Sequence, residues 1–125
     1  MELIYIASAS AGNRRDLWFI ATAVNRSGHF VFVPMLGFMG KEDDHAREVG
    51  LDACFWLIKH WATKFTVFYE GISSVGIWDE LKFAYKNGIP CAVIISDKKI
   101  PFPILPIGVA EIRDAEQLKR WLDEL

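Results

Sequence analysis

The stretch Phe65-Thr-Val-Phe-Tyr-Glu-Gly-Ile-Ser-Ser-Val-Gly-Ile-Trp-Asp-Glu80 decides how the chain is read. Phe65 to Tyr69 is a β-branched and aromatic run short enough for a strand. Gly71, Ser73, Ser74 and Gly76 break it, and Ile77, Leu81 and Ala84 then mark one stripe of a helix. The unit is a buried strand, a small-residue turn and a helix start. Unpaired backbone N–H groups at such a start bind anions and favour an ionised carboxylate, so the turn can hold a phosphate while the first helical turns present a charged Glu80. The same composition also serves a plain helix start, with Ser74 as N-cap and Glu80 in solvent.

Working outward, the pattern repeats. Leu3 to Ala7 is a short apolar strand, followed by the polar turn Ser8-Ala-Ser-Ala-Gly-Asn-Arg-Arg15 and a helix from about Asp16 to Asn25 with Leu17, Ile20, Ala21 and Val24 on one stripe, ended by Gly28. Phe30 to Val33 is a second strand, stopped by Pro34. The segment from Met35 to His45 reads as a long loop with exposed Phe38 and Met39, a lid, substrate wall or subunit contact. A second helix starts near Asp43 or Asp44 and runs to about Trp61. Within its apolar centre Asp52 stands among large hydrophobes, where a charge must be paired, placed at a cleft or protonated; the alternative is a solvent-facing position on a narrow polar edge beside Glu48. The third helix ends at Asn87-Gly88, Cys91 to Ile95 is a fourth strand, and three prolines between Pro101 and Pro106 make an extended connector. Val109 to Ile112 is a fifth strand, and Asp114-Ala-Glu-Gln117 opens a final helix with a capping-box-like start.

Strands alternating with helices specify an α/β single-domain fold over residues 1–125: a doubly wound, flavodoxin/Rossmann-like parallel five-stranded sheet of order 2-1-3-4-5, with helices on both faces. The composition agrees with one well-filled core, 52% hydrophobic and 14% aromatic. A net charge of −2 with interspersed Lys and Arg leaves no basic stripe, which argues against a nucleic-acid polymer as partner but not against single nucleotides. Cys54 and Cys91 sit in apolar segments and read as buried thiols of a reducing compartment. With no signal peptide and no membrane-length apolar run, the expectation is a cytoplasmic protein.

In such sheets ligands bind beyond the C-terminal ends of the strands where strand order reverses, here between strands one and three. Ser8 to Arg14 and Glu70 to Gly76 meet there. Their hydroxyls and backbone N–H groups, with Arg14 or Arg15, can bind a small anion, and Glu80 and Asp52 bring carboxylates to the same cleft. Other chemistries lack their patterns: no nucleotide-hydrolase P-loop, no G-x-G-x-x-G after strand one, no metal-ligand spacing for His29, His45 and His60, and no nucleophile elbow for a catalytic serine. Neither a metal nor a cofactor is expected.

Ile4-Tyr-Ile-Ala-Ser8 with Asn13, Gly28 with Phe32-Val-Pro34, and Ser74-Val-Gly-Ile-Trp-Asp-Glu80 with Ala84 and Gly88-Ile-Pro90 together resemble the nucleoside 2-deoxyribosyltransferase-like superfamily over most of the chain. The most specific part is Ser-x-Gly-x-x-x-Glu followed by Ala and Gly-x-Pro. The resemblance implies that Glu80 is a nucleophile attacking the anomeric carbon of a sugar, that Asp52 assists departure of the base, and that Tyr5 lines the sugar and the nucleophile. Ser74 matches the deoxynucleoside 5′-monophosphate N-glycosidase branch, where a Ser in this position binds the 5′-phosphate. With it, Ser8, Ser10, Asn13, Arg14 and Gly76 are the expected substrate and phosphate contacts. Members are commonly homodimers or higher oligomers, which makes Phe38, Met39 and Trp78 candidate interface residues.

Two readings from different classes follow. One is an enzyme that cleaves or transfers the N-glycosidic bond of a nucleoside 5′-monophosphate, with a small-molecule nucleotide or nucleoside as its only substrate class. The other is a non-catalytic nucleotide-binding protein that uses the same cleft and needs Ser74 and Gly76 but not Glu80. A phosphoribohydrolase of the lysine-decarboxylase-like family fits Ser73 to Glu80 less well.

Overall fold

The computed structural model describes residues 2–8, 14–34, 53–71 and 75–124, without the side chains of Arg14 and Val75. In chain order the elements are β1 (Leu3–Ser8), α1 (Arg14–Arg26), β2 (Phe30–Phe32), α2 (residues 53–60), β3 (Lys64–Phe68), α3 (Val75–Lys86), β4 (Cys91–Ile94), β5 (Ala110–Ile112) and α4 (Ala115–Asp123). The five strands form one parallel sheet in the order β2-β1-β3-β4-β5. That is the doubly wound order expected from the alternation of strands and helices. Strand ends differ from the sequence reading by one residue: β2 stops at Phe32 rather than Val33, β3 starts at Lys64, and β4 and β5 are each one residue shorter. Helix one is longer, opening at Arg14 rather than Asp16.

The period-2 alternation of the strands divides the core into two layers. Ile4 and Ile6 of β1, Phe68 of β3, Ala92 and Ile94 of β4 and Ile112 of β5 face α1 and α4, meeting Leu17, Ala21, Val24, Leu118 and Leu122. Tyr5 and Ala7, Phe65 and Val67, and Val93 face α2 and α3, meeting Cys54, Ile58, Ile77, Leu81 and Ala84. Because both faces are covered, β3 and β4 are buried along their whole length.

Local signals set the helix ends. Gly88 has φ +73 just beyond α3, the left-handed conformation that closes a helix without a Cβ clash. At α4 the Asp114 carboxylate accepts from the Gln117 N–H at 2.8 Å, as the capping pattern predicts. The return bond is displaced by one residue, since Gln117 Oε1 accepts from the Arg113 N–H at 2.6 Å. The turn after β3 needs Gly71, which has φ +83 and lies where a Cβ would come within 3.3 Å of Ile100 Cδ1.

One buried cation had no counterpart in the sequence reading. Lys64, 1% exposed, begins β3 and carries its ammonium under the C-terminus of α4. There Nζ donates to the carbonyl oxygens of Trp121, Leu122 and Glu124, lies 5.4 Å from the Trp121 ring centroid, and sits 3.8 Å from a Glu2 carboxylate oxygen. A cation at a helix C-terminus completes carbonyls that the helix leaves open and opposes its dipole. Lys64→Met keeps the apolar stem and removes the charge and donors, and is expected to cost about 2 kcal/mol in urea unfolding at neutral pH. A loss below about 0.5 kcal/mol would show that the carbonyls find other partners.

Candidate functional site

The order of the sheet reverses between β1 and β3, and the helices that cover this seam on one face are α2 and α3. Tyr5 lies within β1, between register partners Phe32 and Phe65. Its ring is stacked on Phe65 with centroids 5.3 Å apart and tilted on Phe32 at 5.6 Å, so it is clamped from both sides. The side chain is wholly buried and extends beneath α2 and α3.

Glu80 meets it from α3. Ile77, Leu81 and Ala84 turn the stripe of α3 toward the sheet, and Glu80, three residues after Ile77, is carried with them to 9% exposure. The expectation of a carboxylate held in its ionised form by the helix start fails here. Glu80 is in the second turn, past the reach of the N-terminal partial charge, and burial pushes its carboxyl up to about 7. The Tyr5 hydroxyl acts in the opposite direction, lowering it.

The third member of the cluster is Cys54 of α2, 3% exposed and in the reduced state. Burial, opposed by the Tyr5 hydroxyl and reinforced by the Glu80 charge, holds its thiol up at about 11. Tyr5 is itself raised far above the ordinary phenol range, first by burial, then by the Glu80 charge and by Cys54. The three groups thus sense one another's ionisation. Yet neither Tyr5 Oη nor Glu80 Oε2 completes a hydrogen bond among the described residues, although both atoms are removed from solvent. Such groups are costly in an ordinary core, and contacts of this type commonly tighten only when a substrate is bound.

Of the other expected contacts, Ser8 ends β1 opposite Phe68, and its Oγ is likewise buried with no hydrogen-bond partner among the described residues. Gly76 is the second residue of α3. The backbone of Arg14 opens α1. Asp52, Ser10, Asn13 and Ser74 lie outside the described residues, as do Phe38 and Met39. Trp78 is half-buried rather than exposed, and it packs on Tyr69 with ring centroids 5.3 Å apart. Among the described residues, the large exposed aromatics are Trp18, Phe19, Phe30, Trp56, Trp61 and Tyr85. By sequence Cys54 is only a core thiol. The missed signal was its position on an apolar helix stripe that also had to cover the seam beside Tyr5.

Among the described residues no group of three or more His, Cys, Asp or Glu side chains is arranged to hold a metal ion, and no helix is long and apolar enough to cross a membrane. No protein-family model and no curated protein matches the sequence. Solved structures do. The 2-deoxyribosyltransferase of the psychrotolerant bacterium Bacillus psychrosaccharolyticus superposes with a TM-score of 0.77 at 19% identity, over 94% of this chain and 90% of its own. The fold is that of a nucleoside 2-deoxyribosyltransferase. The CMP N-glycosidase BcmB of Clostridium botulinum, of the same superfamily, superposes with a TM-score of 0.66 at 14% identity, over 98% of this chain and 99% of its own. A 3-dehydroquinate dehydratase-like protein from Bifidobacterium longum follows with a TM-score of 0.55 at 17% identity, over 98% of this chain and 94% of its own. The likeness is one of fold, and it is to a 2-deoxyribosyltransferase and to an N-glycosidase.

Proposed function

We propose that this protein cleaves the N-glycosidic bond of a nucleoside 5′-monophosphate through Glu80, releasing the base to water or exchanging it for another. The observation that carries the reading is a buried carboxyl with an unpartnered oxygen, set against an equally buried tyrosine hydroxyl at the switch point of the sheet. The chemistry is that of a retaining glycosidase. The Glu80 carboxylate attacks the anomeric carbon, the C–N bond breaks, and its electron pair leaves with the base, which is protonated as it departs. A glycosyl ester of Glu80 remains. Water, or a second base, then attacks the same carbon and returns the carboxylate. Asp52 is the proposed proton donor to the base, and Tyr5 holds the Glu80 oxygen that does not attack.

The 5′-phosphate is assigned to Ser74 and Gly76 at the start of α3, with Ser8, Ser10, Asn13 and Arg14 from the turn after β1. The start of a twelve-residue helix and two hydroxyl-rich turns suit an anion, and the CMP N-glycosidase shares the fold. No step requires a metal or a cofactor.

The test is base release from a panel of ribo- and deoxyribonucleoside 5′-monophosphates beside the same nucleosides without phosphate. The expected result is release that depends on the phosphate by at least ~10-fold in kcat/KM, the worth of one charge-assisted contact. Release indifferent to the phosphate would remove the monophosphate assignment. Nucleotide binding without release, unchanged in Glu80→Ala, would replace catalysis by a binding function. The pH profile is a further expected result. A nucleophile must be ionised and burial holds Glu80 up at about 7, so kcat/KM should rise about tenfold per pH unit below that value and level off above it. A profile already flat from pH 5 would mean that Glu80 is not the titrating nucleophile.

A further inference from the structure

We propose that the β2 edge of the sheet is the docking surface for a second copy of this chain, which joins it about a two-fold axis and continues the sheet through β2.

β2 is an outermost strand, and among the described residues no strand pairs with its free side. The Phe30 N–H donates inward to the Glu2 carbonyl at 3.1 Å. Backbone groups alternate in direction along a strand, so the N–H and C=O of Val31 point the other way, out of the sheet. Those two groups suit an identical edge. Residues directly opposite each other in an antiparallel pair can exchange both bonds, so Val31 set against Val31 of a second copy satisfies both copies at once. A three-residue strand is nevertheless too short for these bonds to hold two chains by themselves.

Aromatic surface supplies the rest. Val31 packs into the layer of α1 and Phe32 into the layer of α2, so β2 is flanked by these two helices. Five of the six large exposed aromatics among the described residues sit on these three elements or at their ends: Trp18 and Phe19 on α1, Phe30 on β2, Trp56 on α2 and Trp61 directly after it. Each is more than half exposed. Trp56 and Trp61 form one patch, with ring centroids 6.4 Å apart and the His60 ring 4.9 Å from Trp56. Together the five leave on the order of 700 Å² of aromatic side chain in water. A standard interface buries about 800 Å² per partner, a little over half of it apolar, so covering about two thirds of these rings reaches that share.

The other edge of the sheet is built differently. β5 carries the exposed Glu111, and α4 beside it turns Glu116, Lys119, Arg120 and Asp123 to solvent, the charges with which sheets blunt an edge. β2, with the sequence Phe-Val-Phe, has none. A surface that matches itself, with the area a stable dimer needs, fits a second copy better than an unlike partner, and two-fold dimers are the commonest assemblies. The remaining large exposed apolar residues, Tyr85, Ile104 and Ile107, lie on α3 and the proline connector, where the Tyr85 hydroxyl donates to the Ile107 carbonyl at 2.9 Å.

The test is sedimentation equilibrium of the full chain. Wild type should give a particle of twice 14.2 kDa, with a Kd about micromolar or tighter. Phe30→Lys places a charge in the joint, and Val31→Pro removes the outward N–H while leaving the ladder to β1, a change that edge strands tolerate. Each should raise the dimer Kd at least ~100-fold with an unchanged far-UV circular dichroism spectrum. Ile104→Lys, on the other apolar surface, should leave Kd within about threefold. Amide exchange on wild type needs no variant to fold: the Val31 amide, open in the single chain, should exchange more slowly as protein concentration rises. Wild type that stays monomeric, a dimer untouched by both β2 variants while they remain folded, a dimer broken by Ile104→Lys, or a Val31 amide indifferent to concentration would each overturn the proposal.

Discussion

Glu80→Gln is expected to lower single-turnover base release by roughly 10³-fold or more while leaving nucleotide affinity within a few-fold of wild type. Gln keeps the volume and planarity of the side chain, so the packing beside Ile77 and Leu81 is preserved. What it loses is the negative oxygen that forms the bond to the anomeric carbon. The loss should fall on kcat, because the interaction exists only as the reaction proceeds. Glu80→Ala should fall equally far, since removing an essential nucleophile leaves only the contribution of binding. Glu80→Asp retains the charge but withdraws it by one methylene, and a displacement of that size costs on the order of 10²-fold. A mass increase of one glycosyl group on wild type, absent from Glu80→Gln, would identify the covalent step. Activity within tenfold of wild type in the Gln variant would sink the assignment outright.

The same substitution should stabilise the protein at alkaline pH. Burial raises the Glu80 carboxyl from an ordinary 4.5 to about 7 in the folded chain. Between those two values the native state binds a proton that the unfolded state has released, so stability falls as pH rises. The favourable contribution is complete below 4.5 and is lost as pH passes through about 7. Above that, the fold holds a buried carboxylate at a cost on the order of 3 kcal/mol. Glu80→Gln has no proton to lose. Its melting temperature should match wild type near pH 4 and exceed it by several degrees at pH 8, as urea or thermal unfolding across this range will show. Equal slopes for the two proteins would mean that Glu80 is solvated and ordinary. Opposite effects of one change on activity and stability are the expected mark of a group retained for chemistry rather than for folding.

Glu80 and Tyr5 were both legible from motif and position, but the state of Glu80 was not. A helix start near a carboxylate argues for its ionised form, and that argument weighs only local partial charges. The aromatic environment of Tyr5, Phe65 and Phe32 is contributed by three separate strands, and the resulting desolvation reverses the sign. Cys54 was visible as a buried thiol on an apolar helix, yet nothing in its neighbours in sequence relates it to Tyr5, some fifty residues earlier. Trp78 shows the converse error. The resemblance to an oligomeric family makes it a candidate exposed contact, whereas the Tyr69 ring beyond the end of β3 partly covers it.

The sequence by itself determined the alternation of strands and helices, the helix ends at Gly88 and Asp114, and through the right-handed rule for parallel crossovers the order β2-β1-β3-β4-β5. These are properties of periods, caps and turns, which a chain carries locally. Only the tertiary structure decided that Lys64 is buried under the end of α4, and that Cys54, Tyr5 and Glu80 share one water-poor layer. The physical reason is that protonation and burial depend on what packs against a group from distant parts of the chain, and desolvation has no signature in the residues next to it.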